Sequence, residues 1–299
     1  MRGIEEVAPG DDLFPGFRLL DVATPRGTIR VRVGGEGPAL LLLHGYPQTH
    51  HLWHKVAERL RDRFTLVCAD LPGYGASFRP AVTADHTGHS KREMAAALVD
   101  AMRALGHERF QVGSHDRGAR VAHRMALDHP ERVERLAVLD IAPTREMYRG
   151  TTDAFARAYW HWFFLIQPAP LPERMIGADP VAYWRAKCGE RGFDLFDPRA
   201  LEAYLRAFRD PAAIEASCED YRAAAGIDIG HDDADGGRKL AQPLLCLWGA
   251  FGVVERCFDP LTLWRERAED VRGRAVPSGH YLAEEVPDAV AVAFRDFFG

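Results

Sequence analysis

The sequence has no large surplus of charge of either sign. Its 38 Lys and Arg stand against 43 Asp and Glu, a formal net charge of −5. That excludes the basic face a nucleic-acid or anionic-membrane partner needs. Long apolar runs are missing too, and none approaches the roughly 18 residues of a membrane span. The opening MRGIEEVAPGDDLF lacks the apolar stretch of a secretory signal. Cysteine is scarce. Cys68, Cys188, Cys218, Cys246 and Cys257 are odd in number and scattered, with no CxxC pair. This is no disulfide framework and no thiolate metal site, so they read as reduced thiols, mostly core filler, in a cytoplasmic protein. There is no HExxH motif. His50 and His54 lie four apart without a third ligand, so they read as surface or packing histidines, and neither metal nor other cofactor is expected. Internal repeats and low-complexity tracts are absent.

What is present is ordinary globular composition, 47% apolar over 299 residues, enough for one large domain or a core with an insertion. FRLLDVAT (17–24) and TIRVRVGG (28–35) alternate around Pro25-Arg26-Gly27 and predict a hairpin. Continuous apolar runs follow at 39–45, 64–70, 109–116 and 133–141, and again at 243–249. A last strand is predicted at 271–279. Runs of this kind suit strands covered on both faces. Helical periodicity marks 52–61, 91–105, 118–130, 261–268 and 286–298. This alternation predicts an α/β fold: an eight-stranded, mostly parallel sheet with helices on both faces. Between about 142 and 240 no buried strand interrupts helical, aromatic-rich patches such as DAFARAYWHWFFLI. The expected organisation is therefore a core over 1–141, a helical cap over 142–240 inserted after the sixth strand, and a second part of the core over 241–299. GHDDADGGRK (230–239) reads as the linker back to the core.

Ser114-His115-Asp116-Arg117-Gly118 lies between an apolar strand and a helix, the context of a G-x-S-x-G nucleophile elbow with aspartate at its centre. A plain helix N-cap is the alternative for Asp116. Chain order favours the elbow. His44-Gly45-Tyr46-Pro47 follows the third strand, where the α/β-hydrolase fold supplies one oxyanion N–H, that of Tyr46. The other belongs to Arg117. His280, in Pro-Ser-Gly-His-Tyr after the final strand, stands where the general base is kept. The acid position after the seventh strand holds Gly252. Asp140, ending the sixth strand, can orient His280 in its place, with Asp259 and Glu255 as alternatives. A carboxylate nucleophile suits displacement at an sp³ carbon, forming an alkyl ester that His280-activated water then hydrolyses. An alkyl halide or an epoxide is the expected substrate.

The sequence resembles the haloacetate dehalogenases, including fluoroacetate dehalogenase, of the α/β-hydrolase superfamily. The resemblance spans nearly the whole chain and rests on LLLHGYPQTHHLWHKVA, SHDRGARVAHRMALDHP, VLDIAPT, YWHWFFLIQPAPLPE, EDYRAAAGID and SGHYLAEEVP. It implies hydrolysis of a small 2-haloacid, such as fluoroacetate or chloroacetate, to glycolate and halide. It also implies that Arg117 and Arg120 hold the substrate carboxylate, a role that suits a guanidinium fork, and Arg120 lies four residues after Asp116, about one helical turn. His161, Trp162 and Tyr221 would donate hydrogen bonds to the departing halide. Without the resemblance, Arg120 reads as a solvated helix face and the aromatic trio as a packed core. Relatives suggest a homodimer. Tyr46 stands where close relatives carry phenylalanine and would add a phenol near the pocket mouth.

An epoxide hydrolase shares the Asp nucleophile, the His base and His-Gly-x-Pro. Tyr221 with Tyr159 or Tyr183 could protonate an epoxide oxygen. Two arginines beside a neutral substrate argue against it. A non-catalytic scaffold would have a broken triad, and none of the triad residues is missing here.

Overall fold

The computed structural model describes residues 3–189 and 192–299. Met1, Arg2, Glu190 and Arg191, the last two within the expected cap, lie outside the described residues. The centre is one sheet built from β1 (Ile4–Val7), β2 (Arg18–Thr24), β3 (Gly27–Gly34), β4 (Ala39–Leu43), β5 (Thr65–Ala69), β6 (Phe110–His115), β7 (Val133–Leu139), β8 (Leu244–Gly249) and β9 (Val271–Val276). Their spatial order is β1-β2-β3-β5-β4-β6-β7-β8-β9. The pairings from β1 to β5 are antiparallel and all the others parallel. Consecutive residues of β4, β6 and β8 are buried. Side chains alternate between faces, so both faces of these strands are covered.

The sheet has nine strands where the sequence predicts eight. The extra one, IEEV, pairs with β2 at the antiparallel edge and buries neither face fully. Four residues carrying two exposed glutamates give no apolar alternation to read.

The connecting helices include α1 (His54–Leu60), α2 (Lys91–Ala104) and α3 (Asp116–Asp128), and the chain closes with α15 (Pro287–Phe298). Between β7 and β8 the described residues form eight further α-helices: α4 (Thr144–Arg149), α5 (Asp153–Ala158), α6 (Trp160–Leu165), α7 (Leu171–Ala178), α8 (Pro180–Lys187), α9 (Pro198–Phe208), α10 (Pro211–Ala225) and α11 (Ile227–Asp235). No strand falls in that stretch among the described residues. The segment read as a linker is helical as far as Asp235. Its acidic run is an ion-pairing face: Arg124 on α3 reaches Asp232 at 2.8 Å and Asp235 at 2.6 Å. Only 236–239 lie outside the helix. After β8 lie α12 (Val253–Cys257), α13 (Pro260–Arg265) and α14 (Leu282–Glu285). Among the described residues no helix is long and apolar enough to cross a membrane.

Cys68, Cys218 and Cys246 are buried, and all five thiols are free. Cys188 is not core filler, because it lines a cavity described below. His50 and His54 are both buried. His50 Nδ1 bonds Asp70 at 2.8 Å and His54 Nδ1 bonds the His51 carbonyl at 2.8 Å, which makes them packing rather than surface groups.

Candidate active site

The carboxyl edge of the parallel strands is where loops from several strands converge. β6 ends at His115, and Asp116 turns the chain directly into α3 with φ of 45°. A non-glycine residue in this left-handed region is strained by on the order of 1–3 kcal/mol. The turn is tight enough that a Cβ at Gly118 would lie 2.4 Å from the His44 carbonyl oxygen. Glycine is therefore required there, and the α3 turn packs directly on the loop after β4. That approach brings the Tyr46 backbone N–H to Asp116 Oδ1, donating at 3.0 Å.

Asp140 follows β7 and is also left-handed, with φ of 52°. Its Oδ2 lies 2.6 Å from His280 Nδ1, and its Oδ1 accepts from the Gly249 N–H at 2.9 Å. A carboxylate can only accept here, so Nδ1 carries the proton and Nε2 is left as the basic nitrogen. Nε2 stands 4.0 Å from Asp116 Oδ2, beyond hydrogen-bonding distance. A Cβ at Gly252 would sit 3.3 Å from Asp140 Oδ1, so the glycine at the usual acid position leaves room for the carboxylate that comes from β7 instead. The alternative acids are engaged elsewhere. Asp259 caps α13 through the Thr262 N–H, and Glu255 accepts from the Trp248 indole.

Burial alone would push the Asp116 carboxyl up, but His280, Lys187, His115 and Arg120 pull it well below the usual carboxylate range. It is an anion throughout the neutral range. Lys187 on α8 was not legible as a site residue. Its Nζ donates to Tyr281 Oη at 2.9 Å and to the Tyr46 carbonyl at 3.1 Å. Burial lowers its pKa while the Asp116 charge opposes that fall. Tyr159, weighed in the sequence only as an epoxide donor, places Oη 3.4 Å from His280 Nδ1. A cavity of about 370 Å³ reaches these groups, with Asp116, Tyr159, His161, Lys187, His280 and Tyr281 among its lining.

The other expected residues lie close by but deeper, and none of Arg117, Arg120, Trp162 and Tyr221 lines that cavity. Each is almost completely buried. Arg120 packs its guanidinium over Trp162, 4.6 Å from the ring centroid, and Arg117 lies 4.1 Å over Tyr221. Trp162 and Tyr221 meet edge to face, as do His161 and Tyr221. Four buried polar atoms of this group have no hydrogen-bond partner among the described residues: Arg117 Nη1, Arg120 Nε, Trp162 Nε1 and Tyr221 Oη. Such groups are costly to leave unmet in a protein interior. Tyr148, also missed in the sequence, adds a fifth unmet polar atom, its hydroxyl, and its ring lies tilted 4.8 Å from that of Trp162.

Two expectations need correction. The planar fork of Arg117 is already occupied. Its Nε and Nη2 bond the Asp220 carboxylate at 2.8 and 2.7 Å, which leaves only Nη1. Arg120 instead directs Nη1 to the Ala142 carbonyl and Thr144 hydroxyl and forms no ion pair among the described residues. Tyr46 places no phenol at the pocket mouth. It is fully buried and its hydroxyl bonds Tyr183 at 3.1 Å, so only its backbone faces Asp116.

Comparison with known proteins places the chain among hydrolases. The α/β hydrolase fold family matches residues 38–252. A fluoroacetate dehalogenase from a Burkholderia species is 48% identical over 290 residues, covering 95% of each chain. A soluble epoxide hydrolase from Corynebacterium sp. (strain C12) is 31% identical, covering 88% of this chain and 91% of its own. A crystal structure of an α/β hydrolase from Nostoc sp PCC 7120 superimposes with a TM-score of 0.92 at 53% identity, covering 94% of this chain and 98% of that one. The chain belongs to the haloacetate dehalogenase family of the α/β-hydrolase superfamily.

Proposed function

We propose that the protein hydrolyses a haloacetate to glycolate, halide and a proton. Asp116 attacks the sp³ carbon, the carbon–halogen bond breaks, and an alkyl ester of Asp116 forms. His280 then takes a proton from water as the water attacks the ester carbonyl of Asp116. Asp140 holds His280 in the tautomer this needs. The N–H groups of Tyr46 and Arg117 stabilise the tetrahedral oxyanion, which collapses to free Asp116 and release glycolate.

The observation that carries this reading is Arg120. It is a buried guanidinium with no ion pair among the described residues and an unmet Nε, one helical turn from Asp116. A buried cation without a counter-ion costs on the order of several kcal/mol, and a carboxylate substrate relieves that cost. Arg117 Nη1 is the second contact for the substrate carboxylate. His161, Trp162 and Tyr221 supply the donors that meet the departing halide.

The same proposal treats 142–240 as a cap over a core of 1–141 and 241–299. It also makes the protein a cytoplasmic homodimer. An epoxide substrate is less well supported, because it offers no anion to Arg120 and because the Tyr183 hydroxyl is bonded to Tyr46.

The test is halide release from fluoroacetate and chloroacetate, run beside diol formation from styrene oxide. Release of halide from either acid is the expected result. Diol formation without halide release overturns the proposal.

A further inference from the structure

Arg117 is held by a buried cluster that draws on distant parts of the chain. Asp220, on α10, gives Oδ2 to Arg117 Nε and to the Tyr74 hydroxyl, at 2.8 and 2.6 Å. Its Oδ1 takes Arg117 Nη2 and the Lys91 ammonium. The Asp220 backbone carbonyl accepts a further bond from Arg117 Nη2 at 2.9 Å. Lys91 also faces Asp228 Oδ2 at 3.3 Å. Asp220 and Arg117 are completely buried. Four charges thus balance, two cationic and two anionic, and Arg120 is left outside the balance.

The next residue after Asp220 is Tyr221, whose ring covers the face of the Arg117 guanidinium. The Asp220–Tyr221 dipeptide therefore holds Arg117 on two sides, the carboxylate along the edge of the fork and the ring on its face. Tyr74, Lys91 and Arg117 come from the segments around the sheet, whereas Asp220 comes from the helices inserted between β7 and β8. A flexible guanidinium tied at Nε and Nη2 has one direction left for Nη1.

We infer that Asp220 is a positioning residue that aims Arg117 Nη1 at the substrate carboxylate. This inference rests on the proposed haloacetate reaction. It has a sign that simple electrostatics does not share. Removing the Asp220 charge makes the site more positive, which by itself would draw an anion in more tightly. Loss of positioning frees Arg117 and weakens binding, because the contact then has to be ordered on binding.

The experiment measures kcat and KM for chloroacetate in the unmodified protein, in Asp220→Asn and in Tyr74→Phe, with thermal melts of each. The Asp220→Asn substitution is expected to raise KM about tenfold or more while kcat changes by less than about threefold. Tyr74→Phe removes one hydrogen bond to Asp220 and no charge, and is expected to raise KM about two- to fivefold. A KM that is lowered or unchanged in Asp220→Asn overturns the inference. If that variant does not fold, an unchanged KM in Tyr74→Phe overturns it alone. Absence of halide release from the unmodified protein would instead overturn the haloacetate proposal, so the two failures are told apart.

Discussion

At the residue scale, Asp116 is a strained carboxylate kept ionised by its neighbours, and Arg120 is a buried cation that forms no ion pair among the described residues. Replacing Arg120 by methionine removes a charge the fold gains little from. KM for chloroacetate is expected to rise about a hundredfold, from a lost charge-assisted contact of roughly 2–3 kcal/mol. The melting temperature should stay within about 4 °C, since relief of an unpaired buried charge offsets the lost packing on Trp162. A large drop in melting temperature with KM unchanged would make Arg120 structural.

Trp162 has an unmet indole N–H, and fluoride needs such donors more than larger halides do. Trp162→Phe is expected to lower kcat on fluoroacetate by about a hundredfold. On bromoacetate the loss should be much smaller. Equal losses on the two substrates, read by halide release, would contradict a leaving-group role.

Asp116, Asp140 and His280 were legible because each follows a strand with a readable local pattern. The occupied fork of Arg117 was not, because Asp220 lies 103 positions away in sequence. Lys187 was missed for the same reason. Nothing beside it in the chain marks it, and only folding brings it to the cavity that Asp116 and His280 line.

At the element scale, the turn from β6 into α3 depends on contact with the loop after β4. A Cβ at Gly118 would press on the backbone oxygen of His44, which has nowhere to move. Gly118→Ala should therefore destabilise the protein by about 3 kcal/mol or more, readable as a shift in the urea midpoint, since overpacking on backbone is not relieved by a rotamer change. An unchanged midpoint would mean the turn is looser than described.

Strands buried on both faces were plain in the sequence as unbroken apolar runs. β1 was not, having two exposed glutamates in four residues. The aromatic stretch DAFARAYWHWFFLI reads as one helical patch and forms two, α5 and α6, broken at Tyr159. The acidic stretch at 230–235 read as a linker because composition does not reveal that Arg124 pairs with it.

At the scale of the whole molecule, several titratable groups lie deep in the core and act together on stability. Burial holds His44 and His51 down at about 4, and His115 and His123 down at about 3. In the unfolded chain these imidazoles bind protons below about 6.5, while the folded protein refuses them until pH 3–4. The unfolded state thus binds more protons in that window, and stability falls as pH drops through it, by on the order of several kcal/mol. The carboxylates Asp70 and Asp220, held low despite burial by His50 and by Arg117 with Lys91, add stability above about pH 4 that is lost only in stronger acid. Thermal melts should therefore decline steadily from pH 6.5 to 4.5. A flat profile over that range would contradict the buried neutral histidines.

In the proposed reaction Asp116 becomes covalently alkylated and His280 drives its release. His280→Asn leaves the nucleophile in place and removes the base. Intact-mass measurement of that variant after exposure to chloroacetate separates alkylation from hydrolysis. A stable gain of one carboxymethyl group per chain is expected, mapped by peptide analysis to Asp116. An unmodified protein, or a label on another residue, would contradict that reaction.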